Sequence, residues 1–247
     1  MKKLLCVFLC TIVVFCLSAC IHQGQSDTDT VNGISENTST QEPTDLSILH
    51  SEYALILGNI VKAYPWNDDD LTMVPENPEL SYMYRRNAEL SEIGFALIDL
   101  DDNGQKELII SDPSKFVYDL YTISDGKAIH LFDSGERYCY VLRENGIVEN
   151  SWSGSAAING HDFYKLTDGK LDFVERITLD AYHALDVGVI KELTEANGDN
   201  CFFISQTDQF EDYKSATFKE AIDKIEAYQK ANKELEIEYT LLSDYKN

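Results

Sequence analysis

Positive charge is scarce in this chain. Its 247 residues carry 20 Lys and Arg against 43 Asp and Glu, a formal net charge of −23 at pH 7. A surface this acidic repels phosphate backbones and anionic head groups, so it disfavours nucleic acid as a partner. It suits cations, basic partners or plain solubility. Long apolar runs are missing too. The longest opens the chain at residues 4–17, short of the roughly 20 residues that span a bilayer comfortably. Catalytic signatures are equally absent. Gly154-Ser155-Ala156 lacks the frame of a nucleophile elbow. No H-E-x-x-H, no phosphate-cradling Gly-rich loop and no zinc-like Cys/His spacing occurs. His50, His130, His161 and His183 sit in no recognised motif and read as surface or satisfied histidines, with a meeting of His161 and His183 in space as the alternative. The reading therefore leans away from catalysis. Its enzyme alternative is a calcium-dependent hydrolase whose carboxylates converge only in the fold.

What is present begins with an address. Met1-Lys2-Lys3 precedes the short apolar run, the pattern of a secretory signal. The run ends in Leu17-Ser18-Ala19-Cys20. This resembles the bacterial lipobox, which implies cleavage before Cys20 and acylation of that cysteine. Two or three acyl chains anchor a protein far better than one. The resemblance thus implies a mature chain tethered by Cys20 to the lipid bilayer, on the extracytoplasmic face of the cell membrane. Cys6, Cys10 and Cys16 leave with the signal, residues 1–19. Cys139 and Cys201 remain, either as one disulfide in an oxidising compartment or as two separate buried thiols.

Residues 20–45 are rich in Ser, Thr, Gln, Asn and Asp and hold almost no large apolar side chain. They cannot bury a core and read as a flexible tether. Residues 46–247 read as one β-rich domain. Leu46, Leu49, Tyr53, Leu57, Ile60 and Tyr64 recur at helical spacing, with Thr44 or Asp45 as the cap and Pro65 as the stop. A second short helix is expected over residues 79–90.

The centre of the domain is Phe95-Ala96-Leu97-Ile98-Asp99-Leu100-Asp101-Asp102-Asn103-Gly104-Gln105-Lys106-Glu107-Leu108-Ile109-Ile110. Two apolar, β-branched runs flank an oxygen-rich loop. Asp99, Asp101 and Asn103 alternate, so their side chains can converge. Gly104 stands where a tight calcium loop needs positive φ. Gln105 offers its backbone carbonyl, and Glu107 a further carboxylate. Hard Ca²⁺ takes about six to eight oxygens, and the loop supplies about five before water. An EF-hand needs a bidentate Glu at the twelfth position, where Ile110 stands. Asp99, Asp101, Asn103, Gly104, Glu107 and Leu108 instead match D-x-D-x-(D/N)-G-x-x-(D/E)-L. The segment therefore resembles the calcium loops of FG-GAP and VCBS repeats of integrin-type β-propellers. That resemblance implies a Ca²⁺ cofactor, but the loop occurs once where a propeller repeats it. The metal-free alternative is an acidic hairpin turn.

Beyond the loop the pattern becomes a β-meander. Residues 116–124 and 127–132 flank Asp125-Gly126, residues 137–144 and 147–152 flank Asn145-Gly146, and residues 161–167 and 170–177 flank Asp168-Gly169. These dipeptides between alternating runs are strong hairpin signals. The strands are crowded with aromatics, among them Tyr138, Tyr140, Trp152, Phe163 and Tyr164, read as core with a sugar- or peptide-binding face as the alternative. A short strand is expected over residues 201–205. Thr217-Phe218-Lys219-Glu220 is a capping box opening a helix, with Glu220–Lys224 and Glu226–Lys230 as supporting pairs. Residues 236–242 alternate and close the sheet. The fold class expected is α+β, mainly antiparallel β: a propeller-like or rolled meander with an N-terminal and a C-terminal helix packed on it. The whole resembles Gram-positive lipoproteins that carry one such acidic loop. The expected function is a non-enzymatic, calcium-stabilised binding, adhesion or envelope-interaction module with a protein or glycan ligand. A solute-capturing lipoprotein is a further alternative.

Overall fold

The structure, a computed structural model, describes residues 49–64, 89–155, 158–180, 202–207, 212 and 214–246. The signal, Cys20, the tether, His183, Cys201 and nearly all of the second expected helix lie outside the described residues.

Helix α1 (Ser51–Ala63) buries Tyr53, Ile56, Leu57 and Ile60 on one side. The apolar stripe is where the spacing placed it, but the cap is not Thr44 or Asp45. His50 is extended, and its Nδ1 accepts the Glu52 amide at 3.2 Å. A histidine ring thus supplies the acceptor that satisfies a first-turn N–H. The helix stops at Tyr64, also extended, as the residue before a proline prefers.

The strands form two antiparallel sheets. Sheet A contains β1 (Gly94–Ile98), β2 (Glu107–Ser111), β3 (Val117–Ser124), β4 (Lys127–Asp133) and β11 (Thr240–Leu241), in the order β11-β1-β2-β3-β4. Sheet B is a pure meander. Its strands are β5 (Tyr138–Arg143), β6 (Ile147–Ser155), β7 (Ile158–Thr167), β8 (Lys170–Asp180), β9 (Phe202–Ser205) and β10 (Lys214–Ala216). All three expected hairpins form. At Asp125-Gly126, Asn145-Gly146 and Asp168-Gly169 both turn residues have positive φ, the backbone of a type I′ turn, whose twist matches that of the strands.

Side-chain alternation sorts the core into layers. Phe95, Leu97, Leu108 and Ile110 meet α1 in one cluster. Ile109, Leu120 and Phe132 of sheet A meet Leu142, Val148 and Leu166 of sheet B in a second. Phe163 and Ile177 of sheet B meet Ala221 of helix α2 (Phe218–Ala231) in a third. The order is helix, sheet, sheet, helix. Every residue of β2 is buried, because this strand is covered on both faces. The propeller-like ring must be corrected to this arrangement. A propeller uses about four to eight blades. Here two sheets pack on each other, neither closes into a barrel, and a helix covers each outer face.

The capping box on α2 is present, with Thr217 Oγ1 accepting from Glu220 N at 3.1 Å and Glu220 Oε2 from Thr217 N at 2.7 Å. Lys224 does not serve Glu220. It reaches the buried Glu175 of sheet B at 2.5 Å, and the i,i+4 pair that forms is Lys219–Asp223. The terminal residues close sheet A through β11 on β1, while Leu235, Ile237 and Tyr239 pack into the inter-sheet cluster.

Candidate metal centre

The acidic loop joins β1 to β2 at the end of the inter-sheet core. Asp99, Asp101 and Glu107 each bring one carboxylate oxygen within 4.8 Å of the others. Glu107 is fully buried. It is the first residue of β2, so its backbone is fixed by the ladder with β1. Its Oε2 accepts the Leu100 amide at 2.9 Å and its Oε1 the Thr122 hydroxyl at 3.1 Å. Burial pushes the Glu107 carboxyl up to about 7. The hydrogen bonds from Leu100 and Thr122 oppose that, and the charges of Asp101 and Asp99 add to it.

The rest of the loop is shaped by backbone hydrogen bonds. Asp99 accepts from Asn103 N at 3.1 Å and from Gly104 N at 2.8 Å. Gly104 has φ +88°, as expected of the residue that turns the chain. Asp102 also takes positive φ and is exposed. Asp101 Oδ2 accepts from Asn103 Nδ2 at 3.2 Å and from Gly169 N at 3.1 Å. Its Oδ1 is buried and has no hydrogen-bond partner among the described residues. A buried carboxylate oxygen left bare costs free energy, and a cation would satisfy it. On that observation the residues fit a divalent ion with hard oxygen ligands.

Asn103, expected to ligate through its side chain, is engaged within the loop, and Gln105, expected to ligate through its backbone carbonyl, has its side chain tied elsewhere. Asn103 Oδ1 accepts the Gln105 amide at 2.7 Å, so this side chain braces the turn. The Gln105 side chain turns away, donating to Ile123 O at 2.6 Å and Thr122 Oγ1 at 3.3 Å. Thr122 and Gly169 were not legible as part of the site. Nothing within the loop marks either, because one lies on β3 and the other in a turn of the opposite sheet.

A second polar cluster lies under α2. Glu149 is 2% exposed, and Arg143 and His161 reach it at 2.6 and 2.8 Å. Burial alone would raise the Glu149 carboxyl, but His161, then Arg143 and Gln229, outweigh it and hold it below the ordinary value. Ser151 Oγ lies 3.1 Å from His161 Nδ1, the same nitrogen that meets Glu149. A serine–histidine–acid relay uses both ring nitrogens, whereas here both contacts fall on one. Cys139 is half-buried in β5, and its pairing with Cys201 falls outside the described residues. Among the described residues no helix is long and apolar enough to cross a membrane.

No family model, no curated protein and no solved structure matches this chain.

Proposed function

We propose that the chain is a lipid-anchored extracytoplasmic protein whose mature domain carries one structural Ca²⁺. In this reading it serves as a binding or adhesion module of the cell envelope. The observation that carries the metal is the cluster of Asp99, Asp101 and the fully buried Glu107, with a bare oxygen on Asp101. Its ligands are those three carboxylates. The Gln105 carbonyl and water complete the set, and Asn103 braces the loop. Ca²⁺ is favoured over Mg²⁺ because an irregular all-oxygen set suits its variable coordination, whereas Mg²⁺ demands near-ideal octahedra and keeps its waters. The address rests on the lipobox-like Leu17-Ser18-Ala19-Cys20. The FG-GAP-like loop acts here as a lone clip between two sheets, not as one member of a ring of blades.

Equilibrium dialysis of the mature domain tests the metal: one Ca²⁺ retained per chain, and none in an Asp99→Ala/Asp101→Ala variant. Fractionation of cells expressing the full chain tests the address: wild type in the membrane, Cys20→Ala released. A wild-type domain that retains no ion, or a Cys20→Ala chain that still pellets with membranes, overturns the corresponding half.

A further inference from the structure

We infer that His50 makes the first turn of α1 a proton-operated joint, closed while its imidazole is neutral and opened when the ring takes a second proton. The first N–H groups of a helix have no partner inside it. Here the Glu52 amide finds one in His50 Nδ1 at 3.2 Å. A ring nitrogen accepts only while it carries no proton. Protonation therefore sets a donor against a donor, and a positive charge against the positive end of the helix dipole. The usual caps, Ser, Thr, Asp and Asn, accept through oxygens and lose nothing near neutral pH. An imidazole changes charge between about pH 5 and 8. The sign follows: the cap contributes above that range and is lost as pH falls through it.

The other described histidines respond with the opposite sign. His130 Nε2 lies 3.0 Å from the Asp119 carboxylate, and His161 Nδ1 lies 2.8 Å from that of Glu149. A proton on either ring strengthens its contact. Among the described residues His50 stands beside the Tyr53 ring, edge-on at 6.0 Å, and beside Glu52, whose carboxylate Lys127 of β4 already engages at 3.3 Å. Packing limits how far the turn can open. Tyr53 is 1% exposed, and its hydroxyl donates to Lys106 O and Tyr121 O, so fraying stops at that residue. What the opened turn releases is the bond from Ala54 N to His50 O, at 3.0 Å, and Leu49, half-buried against the same core. The joint thus stands where the chain from residues 1–48 enters the domain. In the lipid-anchored reading that chain includes the tether from Cys20, which acid would lengthen. The cap itself does not rest on that reading.

Hydrogen exchange of the full chain, read at single amides at about pH 8 and about pH 5.5, tests the joint. Each rate is divided by that of an unstructured peptide at the same pH. Protection of the Ala54 amide should fall about five- to tenfold at the lower pH. The Leu57 amide, which closes on Tyr53 O one turn later, should keep its protection. His50→Asn supplies a cap that does not titrate and should hold Ala54 protected at both values. His50→Ala should leave it poorly protected at both. The Glu107 carboxyl, pushed up to about 7, is present in every variant, so the difference between wild type and His50→Asn belongs to His50. Equal protection of Ala54 at both pH values in wild type, an equal fall in His50→Asn, or full protection in His50→Ala at the higher pH overturns the proposal.

Discussion

Asp101 Oδ2, in the acidic loop of sheet A, accepts a 3.1 Å hydrogen bond from the amide of Gly169, in the β7–β8 turn of sheet B. One carboxylate therefore faces the proposed ion with its bare oxygen and holds the opposite sheet with the other. Gly169 suits this contact because it has φ +70°, and because a Cβ there would come within 3.0 Å of Thr122 Oγ1, the hydroxyl that also serves Glu107. The loop, the end of β3 and a turn of the second sheet meet at one point. Filling the site should thus be felt across the interface. Amide exchange at Gly169 is expected to slow on addition of Ca²⁺. Asp101→Ala should abolish that slowing and cost about 1–3 kcal/mol, read in denaturant unfolding.

The network under α2 makes a separate prediction about acid. Glu149 is held below its ordinary value of 4.5. A carboxyl depressed in the fold contributes stability that is full above the unfolded value and is lost as pH falls through the folded one. Stability should therefore drop on the acid side of about 4.5, and Glu149→Gln should flatten that limb. At neutral pH the same variant leaves Arg143 buried without its anion, which costs about 3 kcal/mol. Denaturant titrations at several pH values measure both.

Gly160→Ala probes the seat of Trp152. The added Cβ would meet the indole at 2.5 Å and Ile177 O at 2.9 Å, so the ring or the strand must shift. Overpacking of this kind costs about 1–3 kcal/mol. Stability should fall by that amount, with a red-shifted Trp152 emission as the ring moves toward water.

Tyr53 ties α1 to the acidic loop. Its hydroxyl donates to Lys106 O at 3.0 Å and to Tyr121 O at 3.3 Å. Burial and the nearby Glu107 charge keep that phenol protonated far above its usual range. Tyr53→Phe removes the tie and keeps the ring. A loss of about 1 kcal/mol is expected, with weaker Ca²⁺ binding measured by calorimetry.

The parts of the fold legible in the chain are the local ones. Asp125-Gly126, Asn145-Gly146 and Asp168-Gly169 carry their turn type in two residues, and Thr217 with Glu220 carries its cap in four. Asp99 and Asp101 were legible as converging because a tight loop brings near neighbours together, and Glu107 as a further carboxylate beside them; Asn103, read as converging with them, instead accepts the Gln105 amide. The start of α1 was not, since a histidine side chain took the place of the usual capping residues. Sheet-on-sheet packing was not legible either. The alternation of Leu108, Ile109 and Ile110 shows that both faces of β2 are apolar, but not that one faces a helix and the other a second sheet. Lys224 illustrates the same limit. Its spacing suits Glu220, yet the buried and less solvated Glu175 is the stronger attractor, and only the fold brings it near.

Thermal unfolding of the mature domain in Ca²⁺ and in chelator, beside the Asp99→Ala/Asp101→Ala variant, tests the ion-clamped loop most directly. Extracellular calcium modules bind at about 10⁻⁴ to 10⁻³ M. At about ten times Kd the ion adds about 1.4 kcal/mol, or about 3–6 °C for a domain of this size. Wild type should gain that increment in Ca²⁺ and less in Mg²⁺, and the variant should gain none. Identical melting curves for wild type in Ca²⁺ and in chelator would contradict the account.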